Sequence, residues 1–114
     1  MDNDLINYIA KIKEGTIAKK IIWNKAQDKA FIWPTKDSHG NPLNLILQEV
    51  ATNDGKKIIF RIWDKSSKRA MFEILTNEIK DPKIESELFN LFEFVSTNYK
   101  IDNLDILGDL LRDI

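Results

Sequence analysis

The sequence predicts a single α+β domain spanning residues 1–114: an N-terminal helix, a five-stranded antiparallel meander, and two C-terminal helices packed on one face of the sheet. Three observations lead there. Apolar residues recur at helical spacing at both ends of the chain, and β-branched and aromatic runs fill the middle. The breaks between those runs are short, which favours antiparallel neighbours, since a parallel crossover needs a dozen residues or more. At 114 residues with 43% hydrophobic and 31% charged side chains, the chain can build one core and carries a solvated surface.

Leu5, Ile9 and Ile12, with Tyr8 beside them, fall on one face of a first helix. Asp2 or Asp4 caps its start in this reading, and Gly15 ends it. The runs TIAKKIIWN and KAFIWP then form a hairpin around KAQD, with Pro34 at the end of the second strand or at an edge. KDSHGNP follows as a polar loop.

Residues 43–75 read as three strands, LNLILQEV, IIFRIW and AMFEIL, joined by two turns. Asn53-Asp54-Gly55 suits a loop with glycine in the left-handed position. The expected register sets Val50 against Phe60 and Thr52 against Ile58; its other face sets Glu49 against Arg61 and Leu47 against Trp63. A slip by one residue would lose the Glu49–Arg61 charge pair. Across DKSSKR the expectation is Phe60 against Phe72, Ile58 against Ile74, Ile62 against Ala70 and Trp63 against Arg69. One face is then dry: Val50, Ile58, Phe60, Ile62, Ala70, Phe72 and Ile74. The other is mixed, with Leu45, Leu47, Glu49, Ile59, Arg61, Trp63, Arg69, Met71 and Glu73.

Asp81 followed by Pro82 starts a helix, an acidic cap with proline at the first helical position. Ile84, Leu88, Leu91, Phe92, Val95 and Tyr99 form its apolar arc, with Phe94 to one side. Asp102 and Asp105, with Ile101 and Ile106 placed as a hydrophobic staple, predict a second start. Leu104, Leu107, Leu111 and Ile114 are the stripe of that last helix, and Asp102, Asp105, Asp109 and Asp113 its solvated back.

The chemistry of catalysis is hard to find. There is no cysteine, so disulfides, thiolate metal sites and cysteine nucleophiles are excluded. The single histidine, His39, lies in the polar loop, and its neighbours Asp37 and Ser38 are consecutive, which a converging triad does not allow. The aspartates of the last helix lack the alternation and central glycine of a calcium loop. No glycine-rich phosphate cradle is present. No enzyme, cofactor or metal is therefore expected.

Charge is unevenly divided. Residues 1–77 hold thirteen Lys and Arg against nine Asp and Glu, and residues 78–114 hold four against nine. The acidic N-terminus lacks the basic flank of a signal peptide, and no apolar run approaches the ~20 residues of a membrane span, so a cytoplasmic protein without membrane contact is expected. The preferred function is a small protein-binding module of the immunity-protein, antitoxin, inhibitor or adaptor kind. Its contact surface would be the mixed sheet face at Leu47, Glu49, Arg61, Trp63, Arg69 and Met71. Phe94 is a second contact, or serves a homodimer. The alternative is nucleic-acid binding through the first hairpin, where Lys19, Lys20, Trp23, Lys25, Lys29 and Trp33 interleave cations and aromatics. The sequence pI of 5.8 weighs against it. A third reading places a small-ligand pocket between the first helix and the sheet.

Overall fold

The computed structural model describes residues 2–27, 29–76 and 81–114. Helix α1 (Asp2–Ile17) is followed by β1 (Asn24–Gln27), β2 (Ala30–Lys36), β3 (Pro42–Thr52), β4 (Gly55–Asp64), β5 (Arg69–Leu75) and α2 (Pro82–Leu111). The strands form one antiparallel sheet in chain order, a plain meander. Both helices lie on the same face of it, around a core of Ile9, Phe31, Leu45, Leu47, Ile58, Phe60, Leu88, Leu91 and Val95.

Local chemistry accounts for most boundaries. Asp81 is the N-cap of α2, its side chain accepting from the Lys83 amide, with Pro82 in the first turn. Helix α1 starts at Asp2, so its cap lies outside the described residues. It also runs two residues past Gly15, whose carbonyl accepts from the amides of Lys20 and Ile21. A Cβ on Gly15 would sit 2.8 Å from Ile21 Cδ1, so glycine serves a close approach there and does not stop the helix. Lys19, at φ 60°, takes the left-handed position of the turn that follows.

Three expectations are corrected. The first strand is displaced from TIAKKIIWN: Thr16 and Ile17 are helical, and residues 18–23 are outside any strand. Strand β1 (Asn24–Gln27) shares only Asn24 with that run and takes in residues 25–27 of the expected turn. The two C-terminal helices are one, α2, running thirty residues without a break. A cap such as Asp102 stabilises a helix start by only about 1 kcal/mol. No glycine or proline lies between Pro82 and Gly108 to stop the first helix, so the backbone keeps its i to i−4 bonds.

The third correction is the β3–β4 register. Thr52 faces Gly55, Leu47 faces Phe60 and Leu45 faces Ile62, so the ladder zips three residues closer to the turn than expected. Three is odd, which turns the whole of β3 over. Burying Leu45 and Leu47 beside Phe60 is worth ~1.5–3 kcal/mol per side chain. A cross-strand charge pair offers ~0.2–1 kcal/mol, so the apolar register wins. The β4–β5 ladder is shifted by an even number, Phe60 facing Ile74 and Ile62 facing Phe72, and those side chains keep the faces expected of them. Both outer strands are irregular: the pairing steps between Lys25 and Gln27 at β1, and between Ile62 and Trp63 opposite β5.

From residue 101 onward every position of α2 is exposed. Ile101, Leu104, Ile106, Leu107, Leu110, Leu111 and Ile114 are 48–99% accessible. The overhang lengthens the molecule to 52 × 37 × 26 Å, with a Cα radius of gyration of 15.5 Å. A compact chain of this length would have ~13 Å.

Candidate protein-binding surfaces

Strand alternation sends Phe31, Trp33, Leu45, Leu47, Ile58 and Phe60 towards the helices and their neighbours the other way. The outward set on the central strands is Ile32, Ile46, Val50, Ile59, Arg61 and Trp63, all half-buried against one another. No described element covers them. Arg61 Nε donates to Glu73 Oε2 of β5, which ties the guanidinium to the neighbouring strand. Asn44, opposite Trp63, has its side-chain oxygen shut away with no hydrogen-bond partner among the described residues.

Of the residues expected on this surface, Arg61 and Trp63 are there. Leu47 is not: it is completely buried on the opposite face, and cannot touch a partner. Glu49 is also turned over. Its side chain is 8% exposed, with Lys29 Nζ at 3.2 Å and Lys56 Nζ at 3.7 Å from Oε1. Trp63 pairs with Ala70, and Arg69 pairs with Asp64 at the end of the ladder. Met71 is the extra residue at the β5 irregularity; it is exposed and lines a groove on the helix side. Phe94 is half-buried on α2, its carbonyl accepting from Asn98 Nδ2. Val50 and Ile46 belong to the open face, and only the correct β3 register would have revealed them.

The first hairpin does not make a stacking platform. Trp23 is 7% exposed and sits in the core, its Nε1 donating to Thr16 Oγ1 at 3.0 Å. Trp33 packs against the same core. Lys19, Lys20, Lys25 and Lys29 are exposed, but the two aromatic faces meant to stack bases are turned inward.

A groove of about 510 Å³ separates α1 from the far end of the sheet. Leu5, Tyr8 and Ile12 form one wall; Trp33, Phe60, Ile62 and Phe72 form the other. Phe60 and Phe72 meet edge-on there, ring centres 6.4 Å apart. The walls are almost wholly apolar, so the groove can hold apolar groups; Tyr8 is the one ionisable side chain among its lining residues. A second, charged hollow of about 260 Å³ gathers Lys25, Lys29, Lys56 and Lys100 around Glu49 and Glu93.

The two loops with organised polar chemistry are turns. Asp37 accepts from the amides of His39 and Asn41 and from the Asn41 carboxamide. Those bonds, that from the Asn41 amide foremost, hold its carboxyl below the usual carboxylate range. Asp64 is lowered likewise by the Ser66 amide and the Ser67 hydroxyl. His39 is exposed beside this turn. Among the described residues no group of acidic or histidine side chains could hold a metal ion, and no helix is long and apolar enough to cross a membrane.

Comparison with protein-family models, with curated proteins and with solved structures returns no match for this chain.

Proposed function

We propose that the chain is a non-catalytic protein-binding module, of the kind that acts as an immunity protein, antitoxin, inhibitor or adaptor. Its partner would dock on the open face of the sheet, centred on Trp63 and Arg61. One observation supports the reading above others: no element among the described residues covers the outer face of the sheet. That face presents a tryptophan, a braced arginine and four aliphatic side chains on central strands. Interface cores are enriched in Trp and Arg, and rigid strands hold such anchors at low entropic cost. Trp63→Ala and Arg61→Glu, each in the full chain, should abolish capture of the native partner from host extract while leaving thermal unfolding cooperative. Undiminished capture by both variants would show that the partner sits elsewhere.

The groove beside α1 favours a second reading, carriage of a small apolar ligand, because its volume lies in the range of ligand sites, ~300–1,000 Å³. An apolar dye that fluoresces on binding the native chain, and is displaced by Tyr8→Ala or Phe72→Ala, supports it. Absence of dye binding by the native chain removes it.

A further inference from the structure

The overhanging end of α2 carries apolar side chains on two sides: Ile106 and Leu110 continue the lines of Leu88 and Phe92, while Leu104, Leu107 and Leu111 form a separate stripe. At 3.6 residues per turn, the stripe through Leu88, Leu91 and Val95 runs on into Asp102 and Asp113. Leu104, Leu107 and Leu111 are exposed on the separate stripe, roughly 150° around the helix from the buried one. These three leucines therefore lie off the line of the buried stripe, beyond the point where α2 leaves the sheet. The overhang presents its aspartates on the side opposite them.

We propose that this segment, residues 101–114, pairs antiparallel with the same segment of a second copy of the chain. Three features of the structure support that occupant. The first is area: Leu104, Leu107, Leu111 and Ile114, about half exposed or more, share one side of the overhang. They make an apolar patch comparable to the ~300–600 Å² of the largest patch on a typical monomer, which is often functional. The second is charge. Asp102, Asp105, Asp109 and Asp113 all lie away from the leucines, so two identical helices meet without facing like charges. Lys100, at the base of the overhang on the leucine side, comes to the negative C-terminal end of the other helix only in the antiparallel sense.

The third is the space at the base. A hollow of about 490 Å³, floored by Phe31 and Tyr99 and bordered by Leu104 and Leu107, opens where α2 leaves the sheet. Overlap of residues 101–114 of the two copies, helical as far as Leu111, brings the last residues of one chain to the base of the other. Ile114, 99% exposed, then enters that hollow. Near the two-fold axis Gly108 has nothing within 4 Å of where a Cβ would stand, which leaves room for the opposing Leu107. The pairing is self-complementary, as a two-fold interface must be, and leaves the open sheet face free.

Sedimentation of the full chain at micromolar concentration tests this. The native chain should sediment at twice its 13.3 kDa mass. The triple variant Leu104→Glu, Leu107→Glu, Leu111→Glu should sediment as one chain, with cooperative thermal unfolding retained. A native chain of single mass, whether or not it binds vesicles of mixed neutral and anionic lipid, overturns the proposal, as does a triple variant that stays paired. The sense of pairing is read by oxidation, since the chain has no cysteine of its own. Leu104→Cys with Leu111→Cys should close a covalent dimer, and Leu111→Cys alone should not. Cross-linking by the single variant would overturn the antiparallel arrangement.

Discussion

The indole of Trp23 donates to the hydroxyl of Thr16 at 3.0 Å, and that hydroxyl donates in turn to the Ile12 carbonyl at 2.8 Å. A side chain just before the first strand is thereby tied to the last turn of α1, inside the core. Trp23→Phe removes the donor and opens a small void, and is expected to cost about 1–3 kcal/mol in chemical denaturation. Thr16→Val should cost a similar amount, and the double variant less than their sum, because both lose one bond.

Thr76 holds the other side of the sheet together. It is 1% exposed, and its hydroxyl accepts from the Ile58 amide at 3.1 Å, just where β5 has ended and the backbone ladder offers no partner. Thr76→Val keeps the shape and strands that amide. The expected loss is about 1–3 kcal/mol in a denaturant titration, with Thr76→Ser losing less.

Lys68, in the β4–β5 turn, has φ 57°, and its amide donates to the Asp64 carbonyl. A lysine in the left-handed region costs ~1–2 kcal/mol that glycine does not, part of which is returned as greater freedom of the unfolded chain. Lys68→Gly should therefore raise the melting temperature by a few degrees, for a gain of about 1 kcal/mol. Lys68→Val should lower it.

Asp37 and Asp64 have carboxyls lowered by the hydrogen bonds they accept. A folded-state value below the unfolded one means the stabilisation is complete above the ordinary carboxylate range and is lost as pH falls through the folded value. Acid unfolding of Asp37→Ala should thus be less steep below about pH 4 than that of the native chain. Carbon chemical shifts of the two carboxyls, followed against pH, should report midpoints below those of a free aspartate.

Much of the architecture was legible because it rests on short-range signals. Asp81-Pro82 announces α2, the arc from Ile84 to Tyr99 announces its buried face, and the turns around Gly55 and Ser66 announce the meander. What failed depends on competition between weak local terms and distant burial. Glu49 opposite Arg61 is a reasonable pair in isolation, yet it loses to Leu45 and Leu47 packing against α2, which the strand sequences do not show by themselves. Asp102 resembles a cap, and nothing before it stops the helix. Arg61 and Trp63 lie on the outward face expected of them, because β4 alternates as its own sequence predicts. Leu47 and Glu49 do not, because they lie on the strand that was turned over.

The steps in pairing at the two outer strands bear on how this chain can associate at all. An unbroken edge would offer its amides and carbonyls to any extended segment and let sheets grow from molecule to molecule. Here β1 is four residues long and interrupted, and the β5 edge is bent at Met71. Backbone-led polymerisation is blunted at both ends, so recognition falls to side chains, which discriminate one partner from another as a bare strand edge does not.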